Sequence, residues 1–159
     1  MKTTRVGSLF GLAVIAGLVS YLVEALLVRL GEPQFIPPIT LGVALSFIGV
    51  IIPVMAWPIR KLTKAKDSGS RPVVVDPFYA TRVLLLAKAG SVTGAFLAGV
   101  GSGIAVFVLT RTALAPTPLV LTLISVIGGV VLSTGGVIVE RWCQIPPTDA
   151  DSVEEAEPA

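Results

Sequence analysis

The sequence has no histidine and a single cysteine, Cys143, among its 159 residues. Without imidazole, the chain lacks the most common metal ligand and the side chain that most often carries protons near neutral pH. A lone cysteine can form neither an intrachain disulfide nor a thiolate zinc site. We therefore expect no metal and no cofactor, and we expect that the protein is not an enzyme.

Charged residues are also scarce, at 14% of the chain, against about 25% in soluble domains. Four apolar runs of 19 to 27 residues together contain only two charged residues, Glu24 and Lys88. A helix rises 1.5 Å per residue, so about 20 apolar residues cross the roughly 30 Å of hydrocarbon in a bilayer. The sequence therefore predicts an all-α integral membrane bundle of four transmembrane helices. The apolar runs are 6–28, 39–57, 83–109 and 119–139.

Two of the predicted helices start before their apolar runs. Asp76 and Thr117 each precede a proline, and a capping side chain followed by proline is typical of a helix N-terminus. Residues 144–159 contain five acidic residues and no basic one, which predicts a disordered cytoplasmic tail. The predicted transmembrane domain is 1–143, with spans at about 6–28, 39–57, 77–109 and 118–139.

The first run is preceded by Lys2 and Arg5, as the apolar core of a secretory signal sequence is preceded by basic residues. The run exceeds the roughly 7 to 15 residues of such a core, and no Ala-x-Ala cleavage site follows it. We therefore expect it to be retained as the first span.

Basic residues are distributed unevenly between the two sides that four spans would define. Nine lie on the side of the termini, whereas only Arg29 and Arg111 lie on the other. Because basic residues concentrate in cytoplasmic loops, we predict a plasma-membrane protein made of two antiparallel hairpins with both termini cytoplasmic. The nine residues are Lys2, Arg5, Arg60, Lys61, Lys64, Lys66, Arg71, Arg82 and Arg141.

Small residues predict where the helices approach each other, because helix association in lipid depends on close packing of backbones. The third and fourth runs are richest in them, so we expect these two helices to pack most tightly, with a lesser contribution from the first. The small residues of the third run recur every four positions at Ala87, Ser91, Ala95, Gly99 and Gly103. Those of the fourth and first runs include Ser125, Gly129, Ser133, Gly7, Gly11, Ala13 and Gly17.

Lys88 is the residue of the third run that costs the most free energy to place in lipid. It lies about five residues inside the run, and a charge at that depth needs a partner or access to the headgroups. Glu140 could supply an ion pair that joins the third helix to the fourth. The alternative is that Arg82, Lys88, Glu140 and Arg141 form a polar cluster that contacts anionic lipid headgroups or a partner protein. The leading interpretation is a non-enzymatic membrane protein with such a cluster on its cytoplasmic side.

Glu24 favours a second class of function, a small transporter or channel subunit. A carboxylate in the first span of a small four-helix protein resembles the small multidrug exporters. However, Glu24 lies about 10 Å outward of the centre of its run, near Arg29. We therefore expect an interfacial side chain that reaches water.

The expected partners are the bilayer with its anionic headgroups, and a protein partner or a second copy of this chain, but no nucleic acid.

Three blocks carry a resemblance to a known family: Lys2 to Arg5; Asp76-Pro77 followed by Ala80, Arg82 and Leu86 to Ala89; and Glu140 to Cys143 before Pro146. On these residues the chain resembles an uncharacterised actinobacterial membrane-protein family, a domain of unknown function, over nearly its whole length. The resemblance implies a four-span protein often encoded beside folate-biosynthesis genes. It implies no activity and no binding site.

Overall fold

Helices are the expected form for apolar segments in lipid, because a helix satisfies its backbone hydrogen bonds within the segment. The computed structural model describes residues 6–67, 77–110 and 116–142, and this part of the chain contains four α-helices and no strand. All four are long and apolar enough to cross a membrane. The helices are α1 (Val6–Arg29), α2 (Ile39–Asp67), α3 (Pro77–Leu109) and α4 (Pro116–Trp142).

Two helices extend beyond the predicted spans. The α2 helix continues for ten residues past Trp57, where its apolar run ends. The α4 helix begins at Pro116, two residues before the predicted start at Pro118. Proline at either position suits a first helical turn, where no N–H donor is needed. The predicted tail, Arg71 and Cys143 lie outside the described residues.

The helices pack in an order that differs from their order in the chain. The most extensive contact joins α3 to α4, as the small residues predicted. The α1 helix packs on α3, and α2 packs on α4 with a smaller contact to α3. Over the described residues, α1 touches neither α2 nor α4. The first predicted hairpin is therefore a pair of consecutive helices that do not contact each other.

The α1 helix approaches α3 through small residues on both helices. A methyl group at position 99 would lie 2.8 Å from the Cα of Ala13, and one at position 103 would lie 3.1 Å from the Cα of Gly17. Residue numbers rise together along this contact, so the two helices run parallel. Ser20 adds a hydrogen bond from its hydroxyl to the carbonyl of Val100, at 3.1 Å.

Gly7 and Gly11 take no part in that contact. A methyl group at either position would meet nothing within 4 Å. The predicted contribution of these two glycines to helix packing is therefore wrong, and the small residues that matter on α1 are Ala13 and Gly17.

The α3–α4 contact is antiparallel and equally close. A methyl group at Gly94 would lie 2.7 Å from the carbonyl oxygen of Gly129, and one at Gly136 would lie 2.6 Å from the amide nitrogen of Ser91. The hydroxyl of Ser133 donates to the carbonyl of Ser91 across the interface, at 3.1 Å. Backbones in contact leave no room for larger side chains here.

The α2–α4 contact rests on a glycine pattern that sequence analysis missed. Gly42 lies against Gly128, and seven residues further along each helix Gly49 lies against Gly135. A spacing of seven is close to two helical turns, so both glycines of each helix lie on one face. Since these pairs also rise together in number, α2 and α4 are parallel. The starts of α1 and α3 thus share one end of the bundle with the ends of α2 and α4.

A buried apolar cluster lies near that shared end. It joins α2, α3 and α4, and Trp142 packs against it. Its members are Ile52, Ala56, Val83, Ala87, Leu132 and Val139. This cluster fixes the helix ends that carry the polar residues described next.

Candidate functional site

The four residues predicted as a polar cluster each stand next in sequence to a residue of the buried cluster or to Trp142. Arg82, Lys88 and Arg141 are exposed, whereas Glu140 is only 7% exposed. The arrangement therefore presents three positive charges at the surface and holds the carboxylate inside. The pairing of Lys88 with Glu140 stays a prediction.

Aromatic side chains lie at the same end of the bundle. The rings of Trp57 and Trp142 meet edge to face, with centroids 6.4 Å apart and planes at 81°. The Tyr79 hydroxyl donates to the carbonyl of Met55 at 3.2 Å, which links α3 to α2. Amphipathic aromatic rings are typical of the membrane–water interface. Basic and aromatic side chains thus lie together at this end of the bundle.

Glu24 lies toward the opposite end and is buried, with 3% of its surface exposed. The backbone N–H of Phe35 donates to its carboxylate, but the Oε2 atom has no hydrogen-bond partner among the described residues. The expectation that this side chain reaches water is therefore wrong. A buried acceptor without a partner is costly in any apolar environment.

The burial of Glu24 follows from the way α1 ends. Gly31 has a φ of 82°, a left-handed conformation that favours glycine. Its N–H donates to the carbonyl of Val28 at 3.2 Å, and the N–H of Glu32 donates to that of Leu27 at 3.0 Å. This pair of bonds is the Schellman motif, which terminates a helix and turns the chain sharply. A glycine just after an apolar run is a readable stop signal.

Gln34, next to Phe35 in the loop after this turn, contributes a second group of the same kind. Its Nε2 donor is buried and has no partner within the described part of the chain. The chain from α1 through this loop therefore contains one buried acceptor, on Glu24, and one buried donor, on Gln34, that have no hydrogen-bond partner among the described residues. Sequence analysis did not identify Gln34, because nothing in an isolated glutamine indicates burial.

The described ranges contain no candidate metal site. Within residues 6–67, 77–110 and 116–142, no group of three His, Cys, Asp or Glu side chains could hold a metal ion.

These features define a multi-pass helical membrane protein with a basic, aromatic end and a buried carboxylate near the other end. Residues 9–147 match the family described as "Protein of unknown function (DUF3180)", and the chain belongs to that family. No curated protein and no solved structure matches it. Membership agrees with the predicted resemblance to an uncharacterised family.

Proposed function

We propose that this chain is a non-enzymatic plasma-membrane protein that binds anionic lipid headgroups through the polar cluster on its cytoplasmic side. The observation that carries the proposal is the contrast between three exposed cations, at Arg82, Lys88 and Arg141, and the buried carboxylate of Glu140. A protein partner with an acidic surface is the other outcome to test. The actinobacterial origin and folate-gene neighbours implied by the resemblance stay expectations.

The proposed orientation is supported by charge. Nine of the eleven basic residues outside the apolar runs belong to the side of the termini, and the anionic surface of the cytoplasmic leaflet attracts each nearby Lys or Arg by about 1 kcal/mol. Three exposed cations would thus contribute about 3 kcal/mol, a preference of roughly 100-fold for anionic over zwitterionic lipid. A protease added outside intact cells should therefore leave a tag beyond either terminus uncut.

The lipid preference can be measured by native mass spectrometry of protein released from nanodiscs that contain phosphatidylglycerol and phosphatidylcholine. The parent should retain the anionic lipid, and the triple variant Arg82→Gln, Lys88→Gln, Arg141→Gln should lose most of that preference. Arg29→Gln is the control, because Arg29 is exposed at the opposite end of the bundle. Equal retention of both lipids by the parent, or an unchanged triple variant, would contradict the proposal.

A small transporter or channel subunit is the second candidate, and the buried carboxylate of Glu24 favours it. Ionisable groups within spans often mark ion or proton paths. Cysteine accessibility scanning of α3, in a Cys143→Ser background, separates the two functions. A continuous row of labelled positions along the helix would support a path, whereas labelling confined to the helix ends would support the non-transporting protein.

A further inference from the structure

A groove runs along the surface between α2 and α4, beside the basic and aromatic end. Its volume is about 340 Å³, and it is open to the surface along much of its length. Gly49 and Gly135 form part of its lining, Val50 and Ile138 line it further, and the Trp57–Trp142 pair lies at one end. The groove thus leads from the membrane-spanning part of the bundle to the proposed headgroup layer.

Two of the lining residues are glycines at which the α2 and α4 backbones are in close contact. A methyl group at Gly135 would collide with the carbonyl oxygen of Gly49 and would lie 3.5 Å from the Cγ of Pro53. The lining is almost entirely apolar. The one hydroxyl, from Thr134, donates to the carbonyl of Val130 in its own helix at 2.8 Å. This hydroxyl therefore needs no hydrogen-bond partner from a molecule in the groove.

We propose that this groove holds one acyl chain of an anionic phospholipid, whose phosphate lies at Arg141. This site rests on the proposed function, and it gives the bound lipid a defined position on the protein. Charge complementarity identifies the headgroup, because Arg141 is exposed and adjoins Trp142 at the end of the groove. Glu140, the residue that precedes Arg141 in the sequence, is buried.

Lipid chains are as apolar as leucine, so an apolar groove alone would not select one lipid from the bilayer. Selection comes from the net negative charge of the headgroup, and the groove fixes the position of the attached chain.

Trp57 and Trp142 are the only two tryptophans in the chain, so their fluorescence reports directly on the end of the groove. Phosphatidylglycerol with brominated acyl chains, which quench tryptophan on contact, is added as a minor component of phosphatidylcholine vesicles that contain the protein. Brominated phosphatidylcholine at the same fraction measures quenching by bulk lipid. Quenching by the anionic lipid should be the stronger of the two.

A side chain that fills the groove should abolish the excess of tryptophan quenching by the anionic lipid over quenching by bulk lipid. Val50→Phe places a ring in the groove, and Val43→Phe is the control, because both valines are 58% exposed and lie seven residues apart on one helix. Val54→Phe is a second filling variant at a more exposed lining position. The proposal expects bulk-level quenching in both filling variants, with the excess preserved in the control.

Two results overturn the proposal in distinguishable ways. If the filling variants keep the excess while Arg141→Gln loses it, headgroup binding stands and the acyl chain lies elsewhere. If the two brominated lipids quench the parent equally, the anionic selection itself is wrong, and the proposed function fails together with this site.

Discussion

A single methyl group at Gly128 should separate α2 from α4. At this position an alanine Cβ would collide with the carbonyl oxygen of Gly42 and would lie 3.1 Å from its Cα. The obstacle is backbone, which cannot rotate away as a flexible side chain could. The two helices must therefore move apart, and the contact between Gly49 and Gly135 would open with them.

The size of the effect follows from two opposing contributions. Replacing glycine by alanine inside a helix favours folding by about 0.8–1 kcal/mol, whereas inserting a methyl group into a filled interface costs about 1–3 kcal/mol. Gly11→Ala isolates the first contribution, because a methyl group there meets nothing within 4 Å. The difference between the two variants should therefore be about 1–3 kcal/mol, the steric contribution alone.

The free energy of unfolding can be measured in detergent micelles by raising the fraction of a denaturing detergent and following helix content. Gly11→Ala should be at least as stable as the parent, and Gly128→Ala should unfold at a lower fraction. If Gly128→Ala proves as stable as Gly11→Ala, the close approach of α2 to α4 is refuted.

Three further changes test other contacts. Gly99→Leu should disrupt the approach of α1 to α3 and lower heat resistance in detergent; resistance equal to the parent would contradict that packing. Glu24→Gln retains an acceptor for the Phe35 N–H and should keep its fold, whereas Glu24→Leu should lose about 1–3 kcal/mol by leaving that donor unpaired; equal unfolding midpoints for the two variants would show that the bond is unimportant. An ion pair between Lys88 and Glu140, the alternative to the proposed headgroup contact, predicts that exchanging the two residues preserves folding while each single reversal impairs it, as judged by yield of monodisperse protein; equal damage from all three would exclude the ion pair.

The four spans could be predicted because lipid requires about 20 apolar residues per helix. The neighbours of each helix could not be read so directly. Small residues every four positions advance around a helix by about 40° per step, since each residue turns by about 100°. From Ala87 to Gly103 this amounts to about 160°, so Ala87 lies against α4 while Gly103 lies against α1. The small residues that recur every four positions therefore belong to two contact surfaces.

Glu24 shows a different limit of sequence reasoning. Its depth along α1 placed it near the outer interface, where an uncovered carboxylate would reach water. Gly31 could be read as a helix stop, but the path of the loop beyond it depends on tertiary structure. That path brings the backbone N–H of Phe35 to the Glu24 carboxylate, which is buried.

The spatial order of the helices, α1–α3–α4–α2, has a consequence for biogenesis. In the folded protein the first two helices do not contact each other. Their packing partners, α3 and α4, belong to the second half of the chain, so their native contacts form only after that half has entered the bilayer. Assembly is therefore completed only at the end of translation, and a nascent chain arrested before α3 would contain helices with no partner.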